Sequence, residues 1–352
     1  MLEAVSQHTR HFVHHINPLL GELLGVKLWY YGLSYSLGFL GVYLWFKRAQ
    51  RRLGWTDRDI LDLSILVALG VLLGGRALEI AFYEWSYYTQ HPSQVFSYWR
   101  GGMASHGLLL GGIVAIWLFS RLRGKSFLGV ADEVVIPAAF LMGVGRIGNF
   151  IDGQIVGSVT DVWWAVKFPN ADGFRHPVTL YDSLKNFMII PLLLLVRRGA
   201  SPGRGMLLAH FVFWYGFGRL FVDYFREYPT EVLGIGTGQY FNLLMAVVGL
   251  GLMMWFGETR RASTVAESEA GEHQEPLRPD KGSARPGQRG FRPGLWSRRV
   301  LFIALLLFPL VIPTDWTQGN VKQTDEVRYG LETGGVKNRN QEFPDPIFLI
   351  RP

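Results

Sequence analysis

Apolar runs of bilayer-crossing length recur through most of this chain and leave little choice of fold. They fall at 28–46, 60–83, 105–120, 127–145, 178–196, 206–225, 239–256 and 300–313. Each approaches the ~20 residues that a helix needs to cross a bilayer, the last run being short. In lipid the backbone N–H and C=O groups must be satisfied within the segment, which leaves helices as the spanning element. A hydrophobic share of 49% fits several such segments better than one soluble core. The expected fold class is all-α: a polytopic integral membrane protein with a seven-span body, an eighth C-terminal span and a small extracytoplasmic loop region.

Basic residues set the expected orientation. Lys47, Arg48, Arg51 and Arg52 follow the first run, Arg121, Arg123 and Lys125 the third, Arg197, Arg198 and Arg204 the fifth, and Arg260 and Arg261 the seventh. By the positive-inside rule these ends are cytoplasmic. The N-terminus, the 84–104 loop, the 146–177 loop and the C-terminal tail then share the far side. The formal net charge of +7 is spread over short loops beside the spans, so anionic lipid headgroups, and no nucleic acid, are the expected partner. With zero cysteines the chain has no disulfide framework, no thiolate nucleophile and no Cys-ligated metal. Any thiol in its chemistry belongs to a substrate. Residues 1–27 lack the pattern of a cleavable signal peptide, so the first span is expected to stay as an anchor. Four regions follow: a membrane-embedded body at 1–257, a cytoplasmic linker at 258–298 too polar to order itself, an extra transmembrane helix at 299–313, and a largely irregular extracytoplasmic tail at 314–352.

Chemistry concentrates at the far-side ends of the runs. The segment from Gly145 to Gly157 places Arg146, Asn149, Asp152 and four glycines where a span surfaces. An arginine there costs a few kcal/mol on insertion scales, which points to a polar ligand, while the glycines permit close backbone approach. A glycine-rich turn with a snorkelling arginine is the plainer alternative. Span six carries Arg219 and Asp223 on one helical face, either an internal ion pair or an arginine shared with an anionic ligand; with Arg146 it could hold a phosphate from two sides. Arg76 and Glu79 share a face of span two, so mutual neutralisation and a ligand role both stand. His106, between Gly101-Gly102 and Gly107, is a structural histidine or a proton acceptor. An aromatic pair such as Tyr30-Tyr31 is more often an interfacial anchor than a catalytic element. Arg175-His176-Pro177 and Leu180-Tyr181-Asp182 open span five, where the proline suits a helix start. No Asp or His cluster has ligand spacing, and no metal or organic cofactor is expected.

In order, Tyr-Gly-Leu, Gly-Gly-Arg, Gly-Met-x-x-His-Gly, Gly-Arg-Ile-Gly-Asn-Phe-Ile-x-Gly, Arg-His-Pro-x-x-Leu-Tyr and Gly-x-x-Arg resemble the prolipoprotein diacylglyceryl transferase family over roughly residues 20–258. The resemblance implies a seven-span bacterial inner-membrane enzyme with a periplasmic active site. Such an enzyme moves the diacylglyceryl group of phosphatidylglycerol onto the lipobox cysteine thiol of a prolipoprotein signal peptide and releases glycerol phosphate, the first step of lipoprotein biosynthesis. It further implies His106 as the base, Arg146 and Arg219 as phosphate and leaving-group binders, Asn149 and Gly157 as shapers of the headgroup pocket, and Tyr31, Arg76 and Asp223 as substrate-site residues.

The match is not complete. Gln154 stands where the family usually has glutamate, Asp182 and Asp223 replace glutamates, Thr179 replaces a glutamine, and His106-Gly107 runs directly into Leu108. Gln154 raises a second reading, a catalytically impaired paralogue that binds phospholipid or lipoproteins as a scaffold. A solute transporter would spread polar residues to midplane depth, whereas here they gather near the outer ends. All the motifs precede Gly257, so deletion of 299–352 is expected to spare the chemistry.

Overall fold

The computed structural model describes residues 11–82, 85–98, 102–153, 155–169, 171–199, 203–226, 231–232, 235–270 and 294–312. The long helices are α1 (Tyr30–Leu53), α2 (Asp57–Phe82), α4 (Ser105–Arg123), α5 (Phe127–Ile151), α6 (Val178–Arg198), α7 (Met206–Tyr224) and α8 (Thr237–Ala270), with α3 (Trp85–Gln90) short and α9 (Leu295–Leu307) running into a 3₁₀ turn at Phe308–Val311. Among the described residues four helical stretches are long and apolar enough to cross a membrane: α2, α5, α6 and Gln239–Glu258 of α8. The chain is a multi-pass membrane protein, mostly helical. Each expected apolar run lies on a helix. Among the described residues three two-stranded pairs are added: β1 (Phe12–Val13) parallel to β4 (Val166–Lys167), β2 (Leu19–Leu23) antiparallel to β3 (Val26–Trp29), and β5 (Glu231–Val232) antiparallel to β6 (Ile235–Gly236).

Inside a bilayer no water is released when helices meet, so close packing carries the association. The α2–α4 contact shows how. Gly70 and Gly74 on α2 face Gly107 and Gly111 on α4 so closely that a Cβ added at Gly111 would lie 1.8 Å from the Gly70 carbonyl oxygen. A Cβ at Gly107 would lie 2.2 Å from that of Gly74. Glycine at a four-residue interval on both helices is the only residue that allows this approach.

Charge fixes the opposite end. Glu133 on α5 accepts two hydrogen bonds from Arg52 at 2.9 and 2.8 Å and two from Arg197 at 3.0 Å, tying α1, α5 and α6. Beside it, Asp132 accepts from the backbone N–H of Gly205 and Leu208 at 2.6 and 2.8 Å. It thereby caps the start of α7, whose first-turn amides have no helical partner. Arg52 and Arg197, which follow the first and fifth apolar runs, thus meet on one carboxylate.

Two features differ from expectation at the C-terminal side. Helix α8 continues past Gly257 to Ala270, because the stretch from Glu258 to Ala270 holds neither glycine nor proline and is rich in Glu, Ala and Arg. The eighth element begins earlier than expected, at Leu295, and its helix ends at Leu307. Residues 271–293 and the tail 314–352 lie outside the described residues.

Gly111 and Gly112 are neighbours with opposite surroundings, since nothing lies within 4 Å of a Cβ at Gly112. Gly111→Ala should destabilise the bundle by about 1–3 kcal/mol, the usual range for overpacking. Gly112→Ala should be neutral or slightly stabilising. Thermal unfolding of the two variants in detergent measures the contrast.

Candidate active site

Three helices from different parts of the chain meet on one carboxylate. Asp182, in the second turn of α6 and nearly fully buried, lies 2.7 Å from Arg146 Nε on α5 and 2.9 Å from Lys185 Nζ on its own helix, and it pairs with Arg219 on α7. Helical spacing aligns the rest: Arg146 donates to Asn149 Oδ1 at 3.3 Å, and Arg219 Nε lies 3.0 Å from Asp223 Oδ1 one turn on. Asp223 also accepts a hydrogen bond from the amide of Asn242 on α8. Lys185 Nζ lies 3.6 Å from the centroid of the Tyr215 ring. Three cations (Arg146, Lys185, Arg219) against two carboxylates (Asp182, Asp223) leave one net positive charge in the cluster.

That charge borders a small crevice lined by Arg146, Ile155, Val178, Thr179, Asp182, Arg219, Val222 and Arg226. Guanidinium groups present fixed charge and forked donors, which suits an anion with several oxygens. The expected pairing of Arg146 and Arg219 is what the structure brings together. Asp182, Lys185, Tyr215 and Asn242 were not singled out as site residues from sequence. A carboxylate and a lysine three apart, one turn into an otherwise apolar run, were the available signal for the first two.

Gly157 passes where no side chain fits. A Cβ there would lie 2.6 Å from the Phe225 carbonyl oxygen and 2.7 Å from that of His176, and its N–H donates to His176 O at 3.0 Å. The strand segment after Ile155 is thus threaded between the end of α7 and the start of α6. His176, Tyr181 and Phe225 pack on one another, with His176 Nδ1 3.0 Å from the Tyr181 hydroxyl, which accepts from Trp164 Nε1 at 2.6 Å. From the N-terminus, buried His14 joins Phe150 O at 2.8 Å and fixes β1 over the signature segment.

The other expected residues occupy two further positions. Tyr31 on α1 is buried beside Gly148 of α5, one residue before Asn149, with its hydroxyl 2.8 Å from that of Tyr35. Arg76 is 2% exposed, and its guanidinium donates to the carbonyls of Val95 (3.0 Å), Gly102 (3.2 Å), Gln94 (3.1 Å) and Ser97 (3.4 Å). Four of its five N–H hydrogens are spent on main chain, and the rings of Tyr88 and Tyr98 lie 4.9 and 5.6 Å from it. Arg76 clamps the loop that leads into α4. His106 sits in the first turn of that helix; its side chain, and all of Gln154, lie outside the described residues.

Two measurements test this geometry. Asp182→Asn leaves three cations with Asp223 as their one carboxylate in the cluster, and breaking a buried pair in this way costs about 3–5 kcal/mol; the variant should unfold at a lower temperature in detergent than the parent. Burial of the His176 ring lowers its pKa below the ordinary value, so the unfolded chain takes up this proton more readily than the folded one. Stability should therefore fall as pH drops through about 6.5, the ordinary histidine value. His176→Gln should flatten that acid limb in detergent unfolding measured from pH 8 to pH 5.

The family profile described as prolipoprotein diacylglyceryl transferase matches residues 18–255. A phosphatidylglycerol–prolipoprotein diacylglyceryl transferase of Geobacter sulfurreducens is 39% identical over 245 residues, covering 67% of this chain and 94% of the relative. One from Methylobacillus flagellatus is 36% identical over 250 residues, covering 68% and 95%, and one from Aliivibrio salmonicida is 38% identical over 250 residues, covering 68% and 88%. The matched stretch contains every residue of the Asp182 cluster and ends before α9. The chain belongs to the prolipoprotein diacylglyceryl transferase family.

Proposed function

We propose that this chain is a phosphatidylglycerol–prolipoprotein diacylglyceryl transferase. It joins the diacylglyceryl group to the lipobox cysteine of a prolipoprotein signal peptide and releases glycerol phosphate. The observation that carries this reading is the positively charged crevice between Arg146 and Arg219, in a chain whose relatives bear that name.

Direct displacement fits these residues. The substrate thiol, ordinarily of pKa about 8.5, loses its proton, because the thiolate is the nucleophile. It attacks the glyceryl carbon bonded to the phosphate oxygen; that C–O bond breaks, and the oxygen departs with the phosphate. His106, at the start of α4, is our choice for the proton acceptor, and the Arg76 clamp supports it by fixing the loop that leads into that helix. Arg146 and Arg219 stabilise the leaving anion, an electrostatic contribution that needs no protonation change on the enzyme. Asp223 and Asn242 hold Arg219, Asn149 holds Arg146, and Gly157 gives the pocket wall its shape. Tyr31 borders the same site from α1.

We read α1, α4 and α7 as spans alongside α2, α5, α6 and α8, which makes the body seven-span. The basic ends of α1, α4 and α6 mark its cytoplasmic side. The Asp182 cluster, at the opposite end, then faces the periplasm from the inner membrane. Residues up to Ala270, the end of α8, form the transferase body in this reading, 271–293 a cytoplasmic connection, 294–312 an eighth span and 314–352 a periplasmic tail.

Mass spectrometry of a lipobox peptide incubated with phosphatidylglycerol and purified protein should show a diacylglyceryl mass gain. A Cys→Ser peptide should show none, and Arg146→Ala should lower the rate by roughly 10²-fold or more, as when one preorganised donor to a developing anion is removed. Lipid binding without any mass gain would instead identify a non-catalytic binder.

A further inference from the structure

The family match ends at residue 255, yet the chain continues into a helix that the body receives as one of its own. Phe302, Leu305 and Ile312 are buried in the same apolar cluster as Phe39, Val42, Leu63 and Val67 of α1 and α2. The Tyr43 and Phe302 rings lie 5.1 Å apart. At the basic end, Arg298 Nε lies 2.5 Å from Asp62 Oδ1, on a carboxylate that also pairs with Arg123 of α4. Both ends of the element are thus held.

The motif end is where its contacts bear on the site. The 3₁₀ turn Phe308–Val311 lies directly on Gly32, the residue after Tyr31: a Cβ there would be 1.9 Å from the Pro309 carbonyl oxygen and 2.9 Å from Leu310 Cα. On the other side Phe308 packs edge-on to Tyr98 at 5.3 Å, and Tyr98 is one of the two rings over Arg76. One turn of the appended segment therefore backs both Tyr31 and the Arg76 clamp, two motif positions on separate helices.

We propose that residues 294–312 are a positioning element of the active site: α9 fills the groove between α1 and α2, and Phe308 and Pro309 hold Tyr31 and the Arg76 clamp in register. This rests on the transferase reading for its activity arm only. It reverses the expectation that the segment beyond residue 299 is dispensable.

The chain has no cysteine, so a Tyr43→Cys/Phe302→Cys pair can be cross-linked without background. In full-length protein this pair should link on oxidation or with a short bifunctional thiol reagent. Phe308→Ala should lower kcat on phosphatidylglycerol roughly tenfold or more, as small misplacements of a site do. The KM for the lipobox peptide should stay within about twofold of the parent, and Phe308→Tyr, which retains the ring, should restore the rate. The cross-link formed in the Phe308→Ala background shows that this variant still folds. Failure of the pair to link, or a kcat for Phe308→Ala within twofold of the parent, would overturn the proposal. A parent without turnover would overturn the transferase reading instead, and the cross-link would still decide whether α9 is seated.

Discussion

Asp182 is the joint on which the motif-bearing end of the bundle turns. Two arginines and a lysine in an apolar setting would repel one another and be poorly solvated; a buried carboxylate between them makes the arrangement tenable. Because Arg146, Asp182 with Lys185, and Arg219 come from α5, α6 and α7, the same interaction that tolerates the charges also fixes three helices against each other. The cluster is left one positive charge in excess, so it is complete as a scaffold and incomplete as a charge balance. In the transferase reading an anionic headgroup would supply what is lacking, which would tie the stability of this end to its chemistry.

A second constraint is steric. Glycines at Gly70, Gly74, Gly107 and Gly111 bring α2 and α4 into backbone contact. That contact lets Ala104 N donate to Gly75 O at 3.0 Å and puts Gly102 under the Arg76 guanidinium. The start of α4, which carries His106, is therefore held by a main-chain hydrogen bond to α2 and by the Arg76 side chain. Gly157 and Gly32 serve similarly at the crevice wall and under the C-terminal turn. In each case the missing side chain is what allows a backbone to pass.

Much of this was legible in the sequence, for a simple reason. Lipid admits few backbone solutions, so the positions of the apolar runs translate almost directly into helices, and charge among apolar residues stands out by contrast. Arg146, Asn149, Arg219, Asp223 and Gly157 were recognisable on those grounds together with the family resemblance. Arg76 was recognisable as unusual, but its use was not. Its partners are carbonyls at residues 94–102, and a carbonyl has no signature in a sequence.

What the sequence by itself determined is the set of helices and which of their ends carry charge, because hydropathy, glycine and proline act locally. Tertiary structure alone decided which charges meet. Lys185 and Asn242 do not stand out in the sequence, and Asp182 reads there only as part of the start of span five and a replacement for a family glutamate, since ion pairs between helices depend on rotation and depth that no local pattern encodes. The same holds for α9. Its apolar composition marked it as a membrane helix, but only packing against α1 and α2 turned an appendage into the wall behind Tyr31.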